Sequence, residues 1–176
     1  MNYSDDSTLG VARQQYFALN GFDERSYADK WMRLRAGPIS FYFPNTQARV
    51  RSVKLHDLHH ILTEYDTNWI GEAEIGAWEI ASWCGGYLAA WVLNLGAFGL
   101  GLALAPRRVY RAFLRGRRTG NLYSGEFAEW LLSKRVGQIR SELRLNRSPA
   151  GPSWRDRLAF ACWAVVAAVT FTGPVC

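Results

Sequence analysis

The stretch HDLHHILTEYDTNWIGEAEIGAWEIA, residues 56–81, decides how this chain is read. It holds all three histidines of the protein, His56, His59 and His60. Val50, Val53, Leu58, Ile61 and Leu62 recur at helical spacing, so the pattern predicts a helix from a cap at Asn45 or Thr46 to about Tyr65. Successive helical residues turn by about 100°, which leaves residues four apart roughly 40° from each other on one face. His56 and His60 therefore project together, the geometry in which a helix offers two imidazoles to one metal ion. His59 falls on the other flank and reads as a bystander. Asp66-Thr67 breaks the helix, and a second one, starting near Asn68, places Glu72, Gly76, Glu79 and Trp83 on one face.

Two histidines do not make a zinc site; a catalytic one usually has three protein ligands and an open position. Asp57, Glu64 and Glu72 are the candidate carboxylates. Glu64 lies about 12 Å along the helix axis from His56, at ~1.5 Å per residue, which strains a shared coordination sphere. Glu72 belongs to a helix that can fold back across the first, and it is preferred. Asp57 is within reach of the same ion, or of a ligand imidazole as an outer acceptor. Glu79 shares the face of Glu72 and is the candidate catalytic residue, as a proton carrier or an outer acid. Trp83 lines the same space, either to stack on an aromatic ring or as packed core.

The segment also resembles the signature of a ubiquinone (coenzyme Q) biosynthesis family, the fourth-named protein of that series, linked to loss of the ring carboxyl. The family motif, H-D-x-x-H, eleven residues, then E, reads here as His56-Asp57-Leu58-His59-His60, eleven residues, Glu72. Thr63, Tyr65, Thr67 and Gly71 resemble the family as well, as does the Phe43-Pro44-Asn45 run, and the likeness covers roughly residues 16–145. It implies a metal site of His56, Asp57, His60 and Glu72, with Zn2+ or another divalent ion as cofactor. It further implies a helical protein that accommodates a polyprenylated aromatic quinone precursor, removes its ring carboxyl and sets a hydroxyl in its place. A non-catalytic lipid-binding scaffold among other quinone-biosynthesis proteins is the alternative. The chain departs from the family at Glu64, where a small residue is expected, and in the apolar tail after Ser153.

Composition agrees with a folded domain, 49% apolar and 20% charged, and the net charge of +6 favours anionic partners. No zinc-finger spacing or RNA-binding signature is present, so nucleic acid is not expected and an anionic membrane surface is. Cys84, Cys162 and Cys176 form no C-x-x-C pair, which argues against a disulfide framework. The fold class expected is all-α: a single compact helical domain over residues 1–150 with an apolar lipid-binding groove, then a linker and an apolar C-terminal helix over 151–176.

Ser26 reads as the cap of a short helix to Leu34, and Phe41–Pro44 as extended. Ser124 reads as the cap of a longer helix carrying the stripe Phe127, Leu131, Val136, Ile139 and Leu143. No charge occurs between Ile80 and Pro106, a run long enough to cross a bilayer. Six arginines follow it (Arg107, Arg108, Arg111, Arg115, Arg117, Arg118), so a crossing would leave the metal site on the far side of the membrane. A buried or lipid-lined helix is the simpler account, with the arginines on anionic headgroups at roughly 1 kcal/mol each. Residues 158–175, preceded by Arg155 and Arg157, can anchor or dock. The localisation expected is the cytoplasmic face of a bacterial membrane, peripheral or tail-anchored, or the mitochondrial inner membrane in a eukaryote.

Overall fold

The computed structural model describes residues 2–36, 39–146 and 151–172. Among the described residues, seven helices carry the fold: α1 (Leu9–Asn20), α2 (Gln47–Thr63), α3 (Trp69–Ser82), α4 (Leu88–Leu104), α5 (Pro106–Gly116), α6 (Val136–Glu142) and α7 (Trp154–Thr172). The class is helical, as the pattern implies, with one antiparallel hairpin added from β1 (Trp31–Ala36) and β2 (Ile39–Pro44). β1 takes the place of the short helix expected up to Leu34. Its backbone pairs instead with the extended segment before Pro44, in a register that sets Trp31 opposite Pro44.

The α2–α3 pair forms as read. Thr46 caps α2, its hydroxyl accepting from the Arg49 N–H, and the Asn68 side chain accepts from Ile70 and Gly71 to start α3. Every carbonyl of the last turn of α2 is satisfied. Glu64 N–H donates to His60, Arg140 donates to Ile61 and Leu62, and Arg115 donates to Thr63. Two guanidinium groups thus stand where a helix end carries partial negative charge, and they fix the turn that holds His60. Glu64 itself adopts φ 64°, the left-handed cap position that glycine takes most readily, which accounts for a small residue being expected there. Gly71 lets the α2–α3 turn close, since a Cβ there would lie 2.0 Å from the Asp66 carbonyl oxygen.

α3 is the central helix, and α4 and α5 pack along it. Gly101 brings α4 onto α3: a Cβ there would meet that of Ala73 at 2.4 Å. Trp78, Phe98 and Phe113 fill the centre, and the indole N–H of Trp78 donates to Thr119 at 2.9 Å. α1, which the sequence pattern did not single out, closes the core with Leu9, Ala12, Tyr16 and Phe17.

The long helix expected from Ser124 is instead two short 3-10 turns and α6. The Thr8–Leu9 segment takes up the backbone at Lys134–Val136, with Leu9 N–H donating to Lys134 and Val136 N–H to Ser7. The apolar stripe still faces inward, with Leu131, Val136 and Ile139 buried.

The uncharged run divides at Trp83–Tyr87, between α3 and α4. Among the described residues no helix is long and apolar enough to cross a membrane. α7 lies against α4 and α5: Trp163 stacks on Trp91, and Phe160 packs on Phe98, Tyr110 and Phe113. Residues 147–150, which end the expected domain, and the last four of the tail lie outside the described residues.

Candidate metal centre

α2 and α3 bring three ligand groups together. His56 Nε2 lies 3.2 Å from His60 Nε2. Glu72 places Oε2 3.3 Å from His56 Nε2 and Oε1 3.3 Å from His60 Nε2. One donor atom from each of the three residues falls within 4.8 Å of the others, close enough to share one cation. Glu72 is partly exposed and His60 is buried, so the site opens on the carboxylate side.

The other ring nitrogens decide the tautomers. His60 Nδ1–H donates to the Tyr65 carbonyl at 3.0 Å, and His56 Nδ1–H donates to Glu79 Oε1 at 2.9 Å. Both Nε2 atoms are thereby turned toward Glu72, where they can donate to its carboxylate or, once deprotonated, ligate a cation. An acceptor behind each ligand imidazole is the outer arrangement by which metal sites orient histidine and raise its basicity. Burial by itself lowers the affinity of His56 for a proton. The Glu79 and Glu72 carboxylates outweigh it and hold the imidazole well above its ordinary value of 6.5. The environment favours positive charge at these atoms. Burial likewise acts to raise the Glu72 carboxyl, but hydrogen bonds from both histidines bring it down to about 2. These donors, two imidazoles and one carboxylate, fit a divalent ion of the zinc type.

Glu79 lies beneath the ligands with no exposure at all. Its Oε1 accepts from His56 and from His59 Nδ1, the latter at 2.6 Å. Its Oε2 accepts from Tyr123 Oη at 3.0 Å and from the Asn94 amide. Despite burial, the adjacent His56 and His59 hold this carboxyl far below the usual carboxylate range. Glu79 touches no open face, so its geometry is that of an orienting acceptor behind His56.

His59 is not idle. The Leu122 N–H donates to its Nε2 at 2.9 Å, which leaves the proton on Nδ1 for Glu79. Burial pushes its pKa down, so it serves as a neutral strut.

Asp57 is not one of the three converging ligands. It is buried, with Oδ1 3.4 Å from Tyr16 Oη and Oδ2 accepting a short bond from Tyr27 Oη. Burial raises its carboxyl, while the Tyr27 bond and the nearby histidines oppose that. Tyr16 stacks on the His60 ring at 5.7 Å, so Asp57 steadies the ligand through the tyrosine.

Glu64 turns away to Arg140 at 2.8 Å and to the Tyr3 N–H. Trp83, expected either in the core or on the site, is 64% exposed and packs edge-on against Trp91. Sequence reasoning missed Asn94, Tyr123 and Tyr16. Asn94 did carry a signal, because it is the one polar side chain in α4 and a lone polar group in an apolar helix needs a buried partner. Tyr16 and Tyr123 carry no comparable mark, since each reaches the site from a distant segment. No protein-family model matches the chain, and neither a curated protein nor a solved structure matches it.

Proposed function

We propose that His56, His60 and Glu72 hold one divalent ion, zinc by donor type, and that the site acts on the ring carboxyl of a polyprenylated hydroxybenzoate in ubiquinone biosynthesis. The observation that carries this reading is the joint orientation of the two imidazoles. Glu79 and the Tyr65 carbonyl each accept a hydrogen bond from an Nδ1–H and leave both Nε2 atoms facing the Glu72 carboxylate. Bound there, the ion would supply Lewis acidity for a carboxylate or an adjacent phenolate oxygen. Glu79 keeps His56 in its ligand tautomer, and Tyr16 keeps the His60 ring in place.

The chain offers an apolar approach to these groups. Leu93, Ala97 and Leu100 share one face of α4, and Ala97 lies against Gly76, one turn along α3 from Glu72. Leu93 and Leu100 are exposed there, which suits a polyprenyl tail. Replacing the carboxyl by hydroxyl releases CO2 and removes two electrons from the ring; water supplies the hydroxyl oxygen, and dioxygen accepts the electrons and is reduced to hydrogen peroxide. A second reading, a lipid-presenting scaffold with a structural ion, draws on the same exposed leucines. Three converging protein ligands rather than four favour the catalytic one.

The test is incubation of the purified, zinc-loaded protein with a 4-hydroxy-3-methoxy-5-polyprenylbenzoate under oxygen. Mass spectrometry should find the carboxyl replaced by hydroxyl. Retention of the intact substrate in complex with the protein, without turnover, would move the assignment to the scaffold.

A further inference from the structure

α4 is inside-out. Its single polar side chain, Asn94, points inward to Glu79, and every position exposed to solvent is apolar. Leu88, Val92, Leu93, Leu100 and Leu104 are between 41% and 74% exposed. Helical spacing puts them, with Gly96 and Ala103, on one arc of about 160°. α7 adjoins this arc, since a Cβ at Gly99 would meet Ala167 at 3.8 Å. Its own outward side carries Leu158, Val165, Val166 and Val169, all exposed. A soluble monomer rarely shows an apolar surface of this extent without a partner for it.

Charge marks where the surface ends. Arg107 and Arg111 follow α4 directly, Arg155 and Arg157 precede the apolar part of α7, and all four are exposed. None of them forms an ion pair among the described residues. No acidic residue occurs between Glu79 and Glu126. We infer that the joint α4–α7 face seats this protein on an anionic lipid bilayer, its aliphatic side chains entering the acyl boundary and the arginines meeting the headgroups. Neither helix is long and apolar enough to span, so the contact lies in the plane of the membrane.

A second copy of the chain is a poorer occupant. Two-fold pairing of this face would offer its exposed arginines no free carboxylate, because the one acid on α4 or α7, Asp156, is buried against Arg117 and Arg118. The docking deepens the proposed function by naming how a lipid-borne substrate arrives: Leu93 and Leu100 lie on the side of the arc toward Ala97, which packs on Gly76, one turn along α3 from Glu72. The docking itself does not rest on the metal reading.

The test is flotation of the full-length protein with vesicles of phosphatidylcholine alone and of phosphatidylcholine mixed with phosphatidylglycerol. The protein should float with the anionic vesicles and much less with the neutral ones. Val92→Glu combined with Val165→Glu, both away from the metal groups, should lower the partition coefficient roughly tenfold or more. Arg107→Ala with Arg111→Ala should weaken binding to anionic vesicles only. Metal content and melting temperature of each variant separate lost docking from lost folding. Wild-type protein remaining with the soluble fraction in both mixtures would overturn the inference, as would equal flotation of the Val92→Glu/Val165→Glu variant. A dimer in solution that this variant dissociates, without vesicle binding by wild type, would assign the face to self-association instead. Unloaded protein that still floats would leave the docking standing even if the metal site failed.

Discussion

Replacing Glu79 by Gln changes charge with little change of shape, and the structure fixes what is lost. The amide oxygen can keep both imidazole N–H groups. The amide NH2 then meets Tyr123 Oη, which rotates to accept, and Asn94, which flips to present its oxygen. Two charge-assisted bonds, from His56 and His59, become neutral ones at a loss of about 1 kcal/mol each, so stability should fall by about 2 kcal/mol. The larger signature is in metal affinity. Without an anion behind it, His56 is a weaker ligand, and loss of such an outer acceptor costs roughly 10- to 100-fold in binding. Competition against a chromophoric chelator, with a thermal melt of the same sample, reads both quantities. A variant that melts lower yet binds zinc within about twofold of wild type would refute the reasoning. Glu79 would then be a structural acid with no hold on the ion.

Other outcomes follow from the same contacts. Arg140→Met leaves the buried Ile61 and Leu62 carbonyls without their donor, at about 1–3 kcal/mol each, so chemical denaturation should show a loss of about 2–6 kcal/mol. Glu64→Gly relieves the left-handed cap but breaks the Arg140 contact, and these opposing terms of about 1 kcal/mol each should leave the melting temperature nearly unchanged. pH should act through His56. Its raised pKa means the folded, metal-free protein binds this proton more tightly than the unfolded chain does. The stabilisation is complete below 6.5 and is lost as pH rises through the folded value. Zinc must displace that proton, so loading at a fixed low zinc concentration should increase over the same rise. Flat uptake between pH 6 and 9 would contradict the assignment of His56 as a ligand.

Much of the site was legible because it depends on local spacing. Helix geometry alone places His56 beside His60, and the cap at Asn68 sets where Glu72 starts the next helix. What escaped depends on contacts between distant segments. His59 lies on a different flank, as the helical wheel requires, but no pattern announces that this flank meets Glu79 and the Leu122 N–H. The 124–143 stripe has helical period, yet pairing with the Thr8 segment outweighs its local preference at Lys134 and Arg135. The hairpin strand that begins at Trp31 is decided by a partner strand rather than by its own alternation. Asp57 shows the same limit: its position beside His56 is local, but its turn toward Tyr16 and Tyr27 is set by α1 and the segment before β1.

The central claim is a single cation shared by His56, His60 and Glu72, and elemental analysis of the purified protein after zinc loading and desalting tests it most directly. About one zinc per chain is expected for wild type, with the metal lost in a folded His60→Ala variant. Equal zinc in that variant, or a wild-type protein that retains none, would contradict the account.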